Sequence, residues 1–234
     1  MFQGDNPVTE LHSKEICKSH PRTGEQWIYE SFTIDEKGYR VKDSETVETV
    51  LESSPLMAKI KIVSTDIQAP NNPIINIHQY KYDEQGNVIS FDIGLPPSYG
   101  DQGFEPKCES FEVNQTTEIA IDERAHSGIL EHSEILEVYN HQTYLGERTI
   151  SVPAGEFIVD EFLIEYSLTY KFLPDEGRIG TIRQYTRMFT NPEIGEVWTE
   201  YKTEFEGPVY RRYEYTDLHS VKVLVKHVPS STSR

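Results

Sequence analysis

The middle of the chain carries a group of imidazole and carboxylate side chains that could bind a metal ion. Its members are His126, Glu131, His132, Glu134 and His141. Both side-chain types are zinc ligands, but helical zinc motifs place two histidines four residues apart. His126 and His132 are six residues apart, and no cysteine lies nearby. The sequence therefore favours a solvated polar loop over a metal site.

A second group consists of acidic side chains in the second half of the chain: Asp160, Glu161, Glu165, Glu196, Glu200 and Glu204. Glycosidase chemistry needs two carboxylates at a defined separation across a cleft. Residues two apart share one face of a strand, so the last three would point the same way. Apolar and hydroxyl residues alternate with them, which favours a row of solvent-facing carboxylates.

A third group, the potential nucleophiles, lacks any recognisable motif. The chain contains neither Gly-x-Ser-x-Gly nor a glycine-rich phosphate loop, and the flanks of Cys17 and Cys108 do not mark a nucleophile. We therefore predict a protein that is not an enzyme, with no catalytic residue, metal or cofactor. A hydrolase that uses carboxylates near the irregular stretch from Gly94 to Pro106 remains an alternative.

The composition is that of a folded domain with a strong acidic balance. Hydrophobic residues make up 36% of the chain, with 14 Tyr and 10 Phe, an aromatic content that disordered chains lack. The net charge is −17, from 22 basic and 39 acidic residues. Binding to nucleic acid or to an anionic membrane needs clustered Lys and Arg, so neither partner is expected. The acidity favours solubility, with attraction to a basic protein partner as the alternative.

The strands that must position any site are visible as alternating patterns. Over residues 57–63, Ala58, Ile60 and Ile62 face one way, and the intervening lysines face the other. Separate strands are expected over 39–42 and 46–51, and over 134–139 and 144–152. Consecutive strands joined by short turns pair antiparallel.

These patterns predict an all-β fold, a long antiparallel meander curled into a half-open β-barrel with at most one or two short helices. Residues 122–133 are the candidate for a helix. We expect an extended N-terminal arm over 1–23, a single curled-sheet domain over 24–228, and a disordered tail over 229–234.

Three short motifs resemble those of bacterial envelope proteins of the TapB-like and DUF3108-like type, which are similar in turn to LolA/LolB-like open β-barrels. The motifs are Gly24-x-x-Trp27-x-Tyr29, Val152-Pro153-Ala154-Gly155-Glu156-Phe157, and Met188-Phe189-x-x-Pro192-x-Ile194-Gly195-x-Val197. The resemblance spans residues 24–225. It implies a half-open barrel in the periplasm or on the cell surface, whose concave side takes up a lipid or another apolar chain.

Aromatic residues supply the candidate binding site. On one strand face Phe162, Tyr166 and Tyr170 recur at even spacing, and Trp27 and Tyr29 lie near the start of the sheet. They would fill the core of a closed sheet or line an apolar groove in an open one. The expected partner is an apolar small molecule or lipid, or a protein. A β-sandwich adhesion or assembly module is a further alternative.

Two features of the sequence bear on where the protein is located, the first residues of the chain and the two cysteines. Met1–Gly4 resembles the scar of tag cleavage, so we expect that a signal peptide has been removed. No apolar run approaches the ~20 residues of a membrane span. Cys17 and Cys108 are either one disulfide, as in an exported protein, or two unrelated thiols.

Overall fold

The computed structural model describes residues 13–92, 107–118, 133–173, 177–207 and 218–230. Every regular element within these ranges is a β-strand, which confirms the predicted all-β class. The strands are β1 Ser13–Cys17, β2 Gln26–Ile34, β3 Arg40–Ser54, β4 Met57–Asp66, β5 Ile74–Tyr82, β6 Val88–Asp92, β7 Cys108–Glu112, β8 Thr116–Glu118, β9 Ser133–Val152, β10 Gly155–Phe172, β11 Arg178–Asn191, β12 Gly195–Glu206 and β13 Leu218–Val228. The 94–106 stretch and most of the predicted helix lie outside the described residues.

Eleven of these strands form one antiparallel sheet, in the order β6-β5-β4-β3-β2-β13-β12-β11-β10-β9-β8. Two local meanders make up its halves, and pairing of β13 with β2 joins them. Among the described residues β6 and β8 do not pair with each other, so the sheet is not closed. This confirms the predicted long, unclosed meander.

The meander contains longer strands than the sequence indicates. The predicted pair over 39–42 and 46–51 is the single strand β3, because Asp43 sits in a bulge opposite Ser31 and Phe32. Its carboxylate accepts a hydrogen bond from Thr33 Oγ1 at 2.9 Å, which satisfies a polar side chain without ending the strand. The predicted pair over 134–139 and 144–152 is likewise one strand, β9.

The β9–β10 hairpin turns at Pro153 and Ala154, between the paired residues Val152 and Gly155. Gly155 has a φ of 140°, a backbone conformation that residues other than glycine rarely adopt. The proline and glycine of this motif therefore fix a tight reversal between β9 and β10.

The sheet curls until strands that are far apart in its order share a core. This core cluster joins Trp27 of β2, Val50 of β3 and Val159 of β10, and Ile60 of β4 and Ile150 of β9 pack against it. Burial of each large aliphatic side chain stabilises the fold by about 1.5–3 kcal/mol. A second cluster lies along β10 and β11 and is built from Leu168, Tyr170 and Ile182.

The strands β1 and β7 form a separate two-stranded sheet, called the ribbon below. Cys17 and Cys108 are opposite each other in its register and are joined by a disulfide. Residues 13–17 of the predicted N-terminal arm are thus a paired strand. The division into arm, domain and tail stays a prediction.

Three kinds of contact hold the ribbon against the sheet. Lys14 Nζ donates to Asp160 Oδ1 at 2.6 Å and to Glu147 Oε2 at 2.8 Å. The Phe111 ring packs edge-on against Phe162, with centroids 5.1 Å apart. Just after β1, the Ser19 backbone N–H donates to the Pro192 carbonyl at 3.1 Å. The ribbon therefore covers one face of the curled sheet.

Candidate ligand-binding site

A cavity of about 420 Å³ lies between the ribbon and the sheet. Ile16 and Phe111 contribute to its ribbon wall, and Trp27, Tyr29 and Phe162 contribute to its sheet wall. Ligand pockets in proteins typically enclose about 300–1,000 Å³ and are lined mainly by apolar and aromatic side chains with a few polar groups. The cavity has the size and the lining of a site for a small apolar molecule.

Three of the five aromatic residues predicted from the sequence lie on this cavity. Trp27, Tyr29 and Phe162 line it and are 7%, 3% and 4% exposed. Tyr166 and Tyr170 lie outside it and pack in the second cluster. They are four and eight residues beyond Phe162, or about 13 and 26 Å along a strand at 3.3 Å per residue. Their role as ligand-lining residues stays a prediction.

Two carboxylates and one ammonium form a charged cluster at the cavity wall. Glu48 and Glu196 line the cavity, and Lys222 Nζ lies 3.7 Å from Glu48 Oε1 and 2.9 Å from Glu196 Oε2. Thr199 Oγ1 also donates to Glu196 at 2.5 Å. The Lys222 ammonium stands over the Tyr29 ring, 4.0 Å from its centroid. These three charged residues are called the charged cluster below.

Burial sets the electrostatics of the charged cluster. Desolvation raises the pKa of Glu48, and nearby Glu196 adds to that rise while Lys222 opposes it. Burial by itself disfavours the charged form of Lys222, but the carboxylates of Glu196 and Glu48 raise its pKa overall. Desolvation, followed by the same two carboxylates, raises the pKa of the Tyr29 hydroxyl. One ammonium thus serves two carboxylates in a poorly solvated place.

The expectation of a solvent-facing row of carboxylates is wrong for Glu196, because its side chain is only 24% exposed and lines the cavity. Glu204 does follow that expectation and pairs with Lys202 on the surface. Sequence reasoning missed Glu48 and Lys222 entirely. The only signal in the sequence is that each is a charged residue at an inward position of an alternating strand. The position of Glu48 is recognisable as inward only from the strand register, which places it opposite Trp27.

Asp160, another predicted acidic candidate, is fully buried beneath the ribbon. Its Oδ1 accepts hydrogen bonds from Lys14 Nζ and from the Tyr144 hydroxyl at 2.8 Å. The neighbouring Glu161 pairs with Arg148 and Arg187 on β9 and β11. Both carboxylates hold structural elements together, and neither lines the cavity.

The imidazole and carboxylate group, for which the sequence favours a solvated polar loop over a metal site, is described only in part. His126, Glu131 and His132 lie outside the described residues. His141 stacks on the Tyr139 ring, with centroids 3.9 Å apart.

Among the residues that the structure describes, no helix is both long enough and apolar enough to cross a membrane.

The fold and the site define an all-β protein with an open, curled sheet and a ribbon-covered cavity. No protein-family model matches the chain, and no curated protein matches its sequence. The predicted TapB-like or DUF3108-like membership thus has no family match and stays a prediction.

Two solved structures are similar to the chain at 15% sequence identity. One is described as an exported protein with a YmcC-like fold, from Bacteroides fragilis, with a TM-score of 0.45. The other is described as a lipoprotein, from Parabacteroides distasonis, with a TM-score of 0.47. Each alignment covers 91% of this chain and 99% of the other. At this level of similarity, no property of either protein is transferred to this chain.

Proposed function

We propose that the protein is a non-enzymatic envelope protein, in the periplasm or on the cell surface, that binds a small apolar or lipid-like ligand in the ribbon-covered cavity. The observation that carries this proposal is the aromatic cavity itself. Trp27 and Tyr29 come from β2 and Phe162 comes from β10, and the ribbon adds Phe111 to the opposite wall.

The disulfide supports the envelope location. Such bonds persist in oxidising compartments and are rare in the reducing cytosol. The Cys17–Cys108 bond joins the two strands of the ribbon that covers the cavity. The disulfide that supports the envelope location thus lies in the same ribbon that forms one wall of the proposed binding site.

Native mass spectrometry of the protein purified from its own host, followed by lipid extraction, tests the ligand. We expect a non-covalent adduct that is lost in Ile16→Trp, because the larger side chain would fill the cavity. Ile179→Trp is the matched control, since Ile179 is 60% exposed and does not line the cavity. An adduct that survives Ile16→Trp, or a protein that never carries one, would contradict the proposal.

A hydrolase is a second candidate function, favoured by one observation. Glu48 and Glu196 converge on one cavity, and burial raises the pKa of Glu48, as expected for a general acid. Turnover of a panel of glycosides and esters, abolished by both Glu48→Gln and Glu196→Gln, would support this candidate. Wild-type protein without turnover on the panel would favour the binding protein.

A further inference from the structure

Trp27 is a buried cavity residue whose polar atom has no partner. It is only 7% exposed and lines the cavity, yet its indole Nε1 has no hydrogen-bond partner among the described residues. The ring stacks on His227, whose Nε2 is hydrogen-bonded to Glu25 Oε1 at 2.9 Å. Buried donors without an acceptor are costly and are usually satisfied in folded proteins. The described part of the protein thus supplies no acceptor for the Trp27 indole.

The chemistry of the indole determines which ligand groups can satisfy it. An indole N–H donates and never accepts, so its partner must carry a lone pair. Carbonyl and carboxylate oxygens carry one, whereas a hydrocarbon has none and an ammonium group has donors only. The apolar lining of the cavity favours any apolar body of suitable size, but the indole favours only a ligand that also carries an acceptor.

The charges around Trp27 favour an uncharged acceptor over an anionic one. Glu48 lies opposite Trp27 in the register of β2 and β3, and both Glu48 and Glu196 line the cavity with side chains that are only 22% and 24% exposed. The basic residues of the lining, Lys18 and Lys107, are exposed, and solvent screens exposed charges far more than partly buried ones. A carboxylate placed beside Trp27 would therefore lose its hydration and meet a charge of the same sign.

Resting on the proposed ligand-binding function, we propose that the cavity selects uncharged molecules with an apolar body and one carbonyl oxygen, and that this oxygen accepts a hydrogen bond from Trp27 Nε1. The apolar body then contacts Phe162, Phe111 and Ile16, which line the same cavity. Acyl esters and ketones belong to this class. Free carboxylates and plain hydrocarbons of the same length bind more weakly.

The indole proton of Trp27 reports directly on this hydrogen bond in a proton–nitrogen correlation spectrum. The chain has two tryptophans, Trp27 and Trp198, so the spectrum should contain two indole signals, and Trp198→Phe leaves the Trp27 signal alone. The first probe is methyl pentyl ketone, and the second is hexyl chloride, which has a similar length and no oxygen acceptor. We expect the ketone to move the Trp27 indole proton downfield, and the chloride to move it much less.

Trp27→Phe separates the hydrogen bond from the apolar contacts, because it keeps an aromatic ring and removes the N–H. In calorimetric titration the affinity for the ketone should fall about fivefold, the factor that corresponds to one net hydrogen bond, and the affinity for the chloride should stay unchanged. Trp198→Phe is the matched control and should change neither affinity, since Trp198 does not line the cavity. Hexanoate should bind wild-type protein at least tenfold more weakly than the ketone. Structural damage in Trp27→Phe would weaken ketone and chloride alike, and the indole signal of wild-type protein then decides.

The outcomes separate this inference from the function on which it rests. If the ketone binds without moving the Trp27 indole proton downfield, the selection for an acceptor is wrong and the apolar ligand site stands. If hexanoate binds as tightly as the ketone, the selection for an uncharged ligand is wrong. If none of the three probes binds, both this inference and the proposed ligand-binding function are overturned.

Discussion

Removal of the Cys17–Cys108 disulfide should strongly destabilise the protein. The bond closes a loop with a sequence separation of 91 residues. In the chain-entropy account, cross-linking restricts the unfolded chain, and a loop of this length corresponds to about 4.5 kcal/mol. The native contacts of the ribbon, including Lys14 with Asp160, remain possible without the bond. Most of the loss therefore comes from the gain in entropy of the unfolded chain.

Urea unfolding of the Cys17→Ser/Cys108→Ser double variant measures this loss. With a urea m-value of about 3 kcal/mol per M, we expect the midpoint to fall by about 1.5 M. Wild-type protein unfolded under strong reductant should follow the same curve, because it lacks the same cross-link. Each single serine variant should match the double variant, since either substitution removes the bond.

A loss below about 1 kcal/mol would refute this reasoning. It would mean that the 91-residue segment is already restricted when the rest of the protein is unfolded. A large loss in the double variant that reductant does not reproduce would point instead to damage by the serines in the folded ribbon. Because the ribbon forms one wall of the cavity, the double variant should also lose the non-covalent adduct expected in native mass spectrometry.

Three further predictions concern the ribbon anchor, a tight cross-strand contact and the charged cluster. Lys14→Met should cost about 2 kcal/mol in urea unfolding, less than for a fully buried pair because the Lys14 side chain is 33% exposed, and a double-mutant cycle with Asp160→Asn should show coupling; additive effects would contradict this. Gly180→Ala should lower the free energy of unfolding by about 1–3 kcal/mol, because the new Cβ would lie 2.6 Å from the Tyr170 ring. Adding Tyr170→Leu to the same chain should recover part of that loss. A Gly180→Ala variant as stable as wild type would refute the prediction. Burial raises the pKa of Glu48 in the folded protein, so the stabilising contribution of Glu48 is fully present below its ordinary pKa of 4.5 and is lost as the pH rises through the folded value. The Glu48→Gln variant should therefore gain stability relative to wild type as the pH rises above 4.5, measured by urea unfolding at a series of pH values. Curves of unfolding free energy against pH that run parallel for the two proteins would contradict this.

Local alternation predicted the all-β class and the antiparallel meander, although it divided β3 and β9 into two strands each and left β1 in an extended arm. It also identified inward positions for three of the residues that line the cavity. Trp27, Tyr29 and Phe162 lie at inward positions that a period of two residues already identifies. The charged cluster was out of reach because it depends on long-range register. Lys222 on β13 meets Glu48 on β3 only because β2 pairs with both strands. No local pattern encodes which distant strands become neighbours.

Two other features were undecided for the same physical reason. Whether Cys17 and Cys108 pair depends on the register of β1 against β7, which the sequence around either cysteine does not specify. The distance of Tyr166 and Tyr170 from the cavity depends on where the ribbon crosses the sheet, which is a property of tertiary packing.

The pairing of β13 with β2 also has a consequence for how the protein folds. The contact between His227 and Glu25 spans 202 residues, whereas within each half of the sheet strands pair with near neighbours in sequence. Loop-closure entropy makes such distant contacts form late, and folding rates fall as the mean sequence separation of contacts rises. The two half-sheets can form early, but the step that joins them must wait for the last strand. The pairing edge of β2 therefore stays open until β13 has been synthesised, and the two half-sheets remain unjoined until then.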